Sequence, residues 1–293
     1  MNLAAGIDVG GTKCLGVVID LDADITSERD IVRQVRYPTP HASELVDALA
    51  TIANELGDVL AVGVGVPGLI TLDGVMRASP NIPGSIDVAI GPQLSHRLAR
   101  HVYVDNDGNA AALAEWRYGA GRGARNMWMV TLGTGIGGGH MLNGAVQRGV
   151  NGFAGEIGHT VVNPDGPRCT CGRKGCWEVY ASGRGLKMLA SGEPGESVIA
   201  RARLGEADAV TVLEAYARWV AIGLSNLTNV SDPDVMVIGG GVSEAADVLM
   251  PMIRRWFVET LYSPEQRTHP DLRVARLGEH AGAIGAALLA QFS

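Results

Sequence analysis

The fold is indicated first by a glycine turn, Asp8-Val9-Gly10-Gly11-Thr12-Lys13, which lies between two apolar segments. Residues 4–9 and 14–20 have the composition of buried strands, so the start of the chain predicts a hairpin. Glycine N–H groups can approach an anion closely, and a strand-end carboxylate such as Asp8 can hold Mg²⁺ through water. The turn therefore favours nucleotide binding over a plain hairpin, although it is not a Walker loop.

Two more glycine turns follow later in the chain. Gly133-Thr134-Gly135 separates strands predicted over 127–132 and 137–142. Gly239-Gly240-Gly241 follows a strand predicted over 235–238 and precedes a helix, a junction that places backbone donors beside a ligand. Each could be a structural turn. Together they favour a nucleotide held by glycine-lined turns from two domains.

Strands and helices alternate along the chain, which predicts an α/β fold. Helices are predicted from Ser43, as an N-cap, to residue 56, and over 110–118. The glycine-rich residues 119–123 have the composition of a linker. We therefore predict a smaller α/β domain over residues 1–120 and a larger one over residues 121–280.

Polar residues cluster at one predicted strand–helix junction, Asp105-Asn106-Asp107-Gly108-Asn109. Asp and Asn are favoured as helix N-caps, but capping explains one polar residue and not four. A carboxylate here could accept a hydroxyl proton during phosphoryl transfer, a reaction that depends mainly on positioning and electrostatics. The junction therefore predicts a catalytic carboxylate.

The most specific pattern is H-x9-C-x-C-x4-C, formed by His159, Cys169, Cys171 and Cys176. Three thiolates and one imidazole complete a tetrahedral zinc site and leave no open position, so the metal should be structural. Disulfide pairing is the alternative. It is disfavoured in the cytosol and by the short spacing of the cysteines.

Two acidic residues flank the cysteine loop. Glu156 lies ahead of it and Glu178 directly after it. Paired carboxylates accept hydrogen bonds from adjacent hydroxyls, which suits a polyhydroxylated ligand. Taken alone, such residues would usually be solvated surface.

Composition excludes several classes of protein. The chain has 293 residues, of which 46% are hydrophobic and 19% charged, so full disorder is excluded. A net charge of −7 and only 5% aromatic residues argue against nucleic acid as a partner. The sequence has neither a signal peptide nor an apolar run of about 20 residues, so we expect a cytoplasmic protein without membrane contact.

The chain resembles the ROK family (repressors, open reading frames and kinases), a branch of the actin/hexokinase-like ATPases. The resemblance rests on motifs spread nearly end to end: residues 8–13, 63–68, 106–110, 132–139, 156–159, 169–178 and 238–242. It implies a two-domain actin/hexokinase-like (ribonuclease H-like) ATPase fold with a central cleft. The final helix, residues 281–291, would pack on the first domain.

The resemblance also implies residue roles. Asp107 would be the general base. The sugar would contact Gly65, Asn81, Asn106, Asp107, Glu156, His159 and Glu178. ATP with its Mg²⁺ would contact Asp8, Gly10, Gly11, Thr12, Lys13, Thr134, Gly135, Gly239 and Gly240. His159, Cys169, Cys171 and Cys176 would hold the structural Zn²⁺.

The implied activity is ATP-dependent phosphorylation of a hexose 6-hydroxyl, with glucose converted to glucose 6-phosphate, by a homo-oligomer (dimer or tetramer). An N-acetylmannosamine or N-acetylglucosamine kinase, or a polyphosphate donor, stays open. A sugar-responsive transcriptional regulator of the same family is disfavoured because only seven residues precede Asp8. A catalytically dead sugar-binding regulator is disfavoured by Asp107 and the three glycine turns.

Overall fold

The computed structural model describes residues 2–79, 82 and 84–292. The chain forms two compact units. Unit 1 contains Met1–Gly123, Gly139–Gly155 and Arg276–Ser293, and unit 2 contains Ala124–Gly138 and Glu156–Ala275. The chain first passes from unit 1 to unit 2 after Gly123, close to the domain boundary predicted at residue 120. Residues 139–155, predicted within the second domain, instead group with unit 1.

The strands of the described chain are β1 (Leu3–Val9), β2 (Lys13–Asp20), β3 (Arg33–Pro38), β4 (Ala61–Val66), β5 (Leu69–Ile70), β6 (Met76–Ala78), β7 (Ile86–Val88), β8 (Val102–Asn106), β9 (Asn126–Leu132), β10 (Ile136–Leu142), β11 (Ala145–Val146), β12 (Val235–Gly239) and β13 (Asp271–Val274). The α-helices are α1 (Leu45–Leu56), α2 (Ile90–Leu98), α3 (Asp107–Arg117), α4 (Trp177–Ala181), α5 (Gly183–Leu189), α6 (Gly195–Arg203), α7 (Ala207–Ser231), α8 (Ala246–Thr260) and α9 (Ala281–Phe292). This composition confirms the predicted α/β class.

The main sheet of unit 1 has the strand order β3–β2–β1–β4–β8. β1 pairs antiparallel with β2 and parallel with β4, which pairs parallel with β8. The carboxyl ends of β1, β4 and β8 therefore meet at one edge, where ligands of such sheets bind. Asp8 lies opposite Gly65, and Gly65 lies opposite Asp105, so this edge carries the acidic residues.

Helix α9 packs against β1 and β4 of this sheet. Two glycines permit its close approach. A Cβ on Gly6 would lie 1.9 Å from the carbonyl oxygen of Ala283, and one on Gly63 would lie 1.8 Å from that of Ala286. The last helix of the chain thus belongs to unit 1, with the strands that carry Asp8 and Gly65.

Unit 2 has β12 between β9 and β13, with both pairings parallel. Its core is formed by large side chains of the helices, among them the buried Trp177, Tyr216 and Phe257. Gly223 of α7 makes room for the indole, because a Cβ there would lie 1.9 Å from the Cε2 atom of Trp177. The pairing of Gly239 with Thr131 brings the ends of β12 and β9 together.

Two predicted helix starts differ from the structure. The prediction of Ser43 as the cap of α1 was wrong, because Ala42–Glu44 forms a 3-10 turn before the helix begins. Helix α3 begins at Asp107, three residues before the predicted start.

Across the residues that the structure describes, no helix is both long enough and apolar enough to cross a membrane.

Candidate active site and metal centre

The glycine turn between β1 and β2 is closed by its own backbone, since the Gly10 N–H donates to the Lys13 carbonyl over 2.9 Å. The Thr39 hydroxyl also donates to the Gly10 carbonyl, at 2.6 Å. A Cβ on Gly10 would lie 2.9 Å from the Lys13 carbonyl oxygen, whereas one on Gly11 would meet no atom within 4 Å. Gly11 and Thr12 are exposed, so the turn leaves space beside Gly11 for a ligand.

Lys13, predicted to face phosphates, has a partner that the sequence did not reveal. Its Nζ donates to Glu279 over 2.5 Å, and Arg36 donates to the same carboxylate. Arg36 and Lys13 together lower the pKa of Glu279 to about 2. Lys13 and Glu279 are 266 residues apart, so no local pattern could have indicated this contact.

Asp8 and Asp107 form an acidic pair across Gly65. A Cβ on Gly65 would lie 3.5 Å from the Asp107 Cα atom and 3.8 Å from an Asp8 carboxylate oxygen. Burial raises the pKa of Asp8 to about 7, the nearby charge of Asp107 adds to the increase, and Lys13 opposes it. Burial also raises the pKa of Asp107, against the Gly108 N–H that donates to it. A divalent cation would reduce the repulsion between two such carboxylates, so Asp8 is suited to be a Mg²⁺ ligand.

Asn106 is the cap of α3. Its Oδ1 accepts hydrogen bonds from the N–H groups of Gly108 (2.8 Å) and Asn109 (3.3 Å), and its Nδ2 donates to the Gly68 carbonyl at 3.1 Å. The capping interpretation thus explains Asn106 and leaves Asp107 free for chemistry. As the first residue of α3, Asp107 is partly buried at the carboxyl edge of the sheet.

The structure brings together the two predicted nucleotide turns of unit 2. The Gly133 N–H donates to the Gly135 carbonyl at 3.0 Å, and Thr134 is exposed. Gly240 has φ of 82°, and a Cβ on it would lie 2.5 Å from the Leu132 carbonyl oxygen. Gly239 ends the adjacent strand β12. Both turns therefore lie side by side at the ends of β9 and β12.

Glu178 links this turn to the cysteine loop. Its Oε2 accepts from the Ile136 N–H at 2.9 Å, and its Oε1 lies 3.8 Å from the Cys169 Sγ. A Cβ on Gly135 would lie 2.4 Å from Oε2, so a larger residue there would displace the Glu178 carboxylate. Glu178, predicted to contact sugar, makes these contacts with the protein itself.

The predicted metal ligands converge. One ligand atom from each of His159, Cys169, Cys171 and Cys176 lies within 4.8 Å of the others. The Sγ atoms of Cys171 and Cys176 are 3.6 Å apart, and the Cys169 Sγ is 3.7 Å from the His159 Nδ1. Zinc–sulfur bonds of about 2.3 Å in a tetrahedron place neighbouring ligands about 3.8 Å apart. The donor set therefore fits zinc, and the sulfur atoms are too far apart for disulfides.

The second nitrogen of His159 lies near an acidic side chain. Nε2 lies 3.9 Å from the Glu156 carboxylate, three residues earlier in the chain. This separation is longer than a hydrogen bond, so the carboxylate lies near the ring nitrogen without bonding to it. His159 is predicted both as a zinc ligand and as a sugar contact, and each role would use one of these two nitrogens.

One predicted sugar contact, Asn81, lies outside the described residues.

Comparison with known proteins extends these observations. The ROK family profile matches residues 4–292. A glucokinase of Streptomyces coelicolor is 35% identical, over 99% of this chain and 98% of the relative. An N-acetylmannosamine kinase of Escherichia coli is 34% identical, over 97% of each. The crystal structure of a ROK glucokinase from Streptomyces griseus in complex with glucose and AMPPNP is 36% identical, with a TM-score of 0.86 over 99% of this chain and 100% of that chain.

The fold and the site define an α/β protein of the hexokinase-like class with a cysteine–histidine loop. The chain belongs to the ROK family. The predicted resemblance and fold class are thereby confirmed.

Proposed function

We propose that this protein is an ATP-dependent sugar kinase that phosphorylates the 6-hydroxyl of glucose. The observation that carries the proposal is Asp107, a half-buried carboxylate with a raised pKa at the carboxyl ends of the parallel strands β1, β4 and β8. The glucokinase relatives of similar length support the assignment of a sugar kinase.

Asp107 acts as the general base. It accepts the proton of the attacking hydroxyl, and a pKa above the usual carboxylate range brings it closer to the pH at which it must work. Asn106 fixes the start of α3 and so holds the Asp107 backbone in place. The oxygen that loses this proton bonds to the terminal phosphorus of ATP, and ADP leaves.

The sugar hydroxyls are bound by Asn106, Glu156, His159 and Glu178, with Asn81 as a further contact. Gly65 presents no side chain between Asp8 and Asp107, which leaves room beside the base. The carboxylates of Glu156 and Glu178 accept hydrogen bonds, as a polyhydroxylated ligand requires.

ATP is bound by the glycine turns. The backbone of Gly10 and Gly11, with the Gly11 N–H as donor, faces the phosphates together with Thr12, Lys13, Thr134 and Gly135. Gly239 and Gly240 lie near the adenosine. Asp8 holds Mg²⁺, which neutralises phosphate charge when bound. Zn²⁺ on His159 and the three cysteines has a structural role.

The test is a panel of sugars with Mg-ATP, followed by coupled ADP release. Glucose should give the highest kcat/KM, with product phosphorylated at the 6-position. Polyphosphate replaces ATP in a parallel arm, in which we expect little turnover. Sugar binding without turnover under any condition would favour a regulator over a kinase.

The second candidate is an N-acetylmannosamine or N-acetylglucosamine kinase. It is favoured by the 34% identity to the Escherichia coli N-acetylmannosamine kinase, nearly the same as to the glucokinases. The same panel decides, because an N-acetylhexosamine kinase would prefer the acetylated sugars over glucose.

A further inference from the structure

Arg148 and Asp105 form an ion pair away from the bulk solvent. The Arg148 Nε donates to the Asp105 Oδ2 over 2.6 Å, and the two side chains are only 19% and 6% exposed. A buried pair of this kind recovers little net stability, because both charges lose hydration. Its position in the molecule therefore matters more than its contribution to folding.

On one side, the pair holds the start of the Asp107 helix. The other carboxylate oxygen of Asp105 accepts hydrogen bonds from the Asn106 N–H at 2.7 Å and from the Asn109 Nδ2 at 2.9 Å. Asp105 thus joins the last residues of β8 to the first turn of α3. In the chain, Asp107 lies between Asn106 and Asn109, the two residues that donate to Asp105.

On the other side, Arg148 begins the loop that leads to Glu156. Its carbonyl accepts from the Ala154 N–H at 3.0 Å, which closes residues 148–154 into a loop. Gly152, with φ of 89°, lets this loop approach β5 closely. A Cβ there would lie 2.3 Å from the Ile70 carbonyl oxygen. Gly155 and Glu156 follow directly along the chain.

We propose that Arg148 is a positioning residue of the kinase. Through Asp105 it holds the Asn106–Asp107 junction and the loop before Glu156 in one fixed arrangement. The inference rests on the proposed function, because it assigns Asp107 the role of base. Phosphoryl transfer is sensitive to such positioning, and a displacement of about 1 Å can cost about 100-fold in rate.

The site also offers a direct test by chemical rescue. Arg148 and Asp105 line a cavity of about 460 Å³ together with His101 and Tyr103. A free guanidinium ion is small enough to enter such a cavity and to replace the missing group after Arg148→Ala.

The experiment compares Arg148→Ala, Arg148→Lys and the wild-type enzyme by kcat, KM and melting temperature. Arg148→Ala should lower kcat by about 10- to 100-fold with KM for ATP little changed. Guanidinium chloride at non-denaturing concentration should restore kcat in Arg148→Ala and not in wild type. Lys keeps the charge but lacks the planar fork, so Arg148→Lys should be intermediate.

Arg203→Ala is the matched control, because Arg203 also donates through Nε to a carboxylate, Asp247, but both side chains are well exposed. It should leave kcat unchanged. A wild-type kcat in Arg148→Ala, or a loss of kcat that guanidinium does not restore, would overturn the proposal.

Hydrogen–deuterium exchange separates this inference from the proposed activity. The N–H groups of Gly108 and Asn109 bond to Asn106, so they should exchange faster in Arg148→Ala and slow again with guanidinium. This readout applies even if wild-type protein turns over no sugar, which would refute the kinase function alone. Unchanged exchange at these amides would overturn the positioning role.

Discussion

The two units hold their predicted site residues by different means. In unit 1, Asp8 and Asp107 lie at a strand end and a helix start, where sheet pairing and the Asn106 cap fix the backbone. In unit 2, His159 lies in a 3-10 turn, and three cysteines of a long loop face it. Hydrogen-bonded secondary structure supports the first set and a metal would support the second. The two sets should therefore fail under different perturbations.

The largest effect is expected in unit 1, at the base. Asp107→Asn should lower kcat by about 10²- to 10⁴-fold, the range for loss of a general base, with a smaller effect on sugar binding. Because burial raises the pKa of Asp107, a neutral amide removes a poorly solvated charge and should not lower the melting temperature. Steady-state kinetics and a thermal scan check both points. A variant with near-normal kcat would refute the assignment of Asp107 as base.

The next effect distinguishes unit 2. Cys171→Ser should lose zinc, lower the melting temperature by several degrees and weaken sugar binding together, because metal binding contributes folding free energy. Cys171 is exposed, so the substitution removes no core packing. ATP binding by the β1–β2 turn should change less. Elemental analysis, which should give about one zinc per chain in the wild type, is read beside sugar titration.

Cys14→Ala is the control for this experiment. Cys14 is buried in unit 1 and belongs to no metal cluster found among the described residues. This variant should keep its zinc and its sugar affinity even if packing is weakened. Metal-free protein that binds and phosphorylates sugar normally would contradict the structural role of zinc.

A smaller effect is expected at two of the glycine turns, one in each unit. Gly11→Val should raise KM for ATP about 10-fold or more with KM for sugar little changed, since it fills space beside the backbone donors. The fold should tolerate it, because a Cβ on Gly11 meets no atom within 4 Å. Gly135→Ala, in contrast, would push on Glu178 and should change KM for both substrates. Isothermal titration with ATP separates the two variants, and unchanged ATP affinity in Gly11→Val would make the hairpin only a turn.

The sequence predicted the parts of the site that are local in the chain. The metal ligands lie within 18 residues of one another, and ligand chemistry at that spacing is specific. The glycine turns were equally visible, because each lies directly after an apolar strand. The helix start at Asp107 was missed by three residues, because Gly108 and Asn109 are poor helix formers and only the Asn106 cap offsets this.

Contacts between distant segments could not be predicted. Arg148 and Asp105 are 43 residues apart, and no local pattern in the sequence pairs them. Residues 139–155 group with unit 1 through tertiary contacts without a local pattern, among them the approach of Gly152 to β5. The short strands β5–β7 were not predicted for a related reason, since runs of two or three residues carry no periodicity.

The smallest expected effect concerns the charge on Asp8. Its pKa is about 7 in the folded protein against an ordinary value of 3.8, so the folded state binds this proton more tightly than the unfolded chain. The contribution of Asp8 to the free energy of unfolding therefore decreases as the pH rises from about 4 to 7. Asp8→Asn carries no such charge and should melt a few degrees higher than wild type at pH 8, with the difference vanishing near pH 4. The scans are run without Mg²⁺ or nucleotide and without chelator, which would remove zinc.

Asp58→Asn, at an exposed carboxylate, should show no such pH dependence. An equal difference in melting temperature at pH 4 and pH 8 would show that Asp8 titrates normally. The acidic pair of unit 1 would then have no raised pKa at Asp8 to distinguish it.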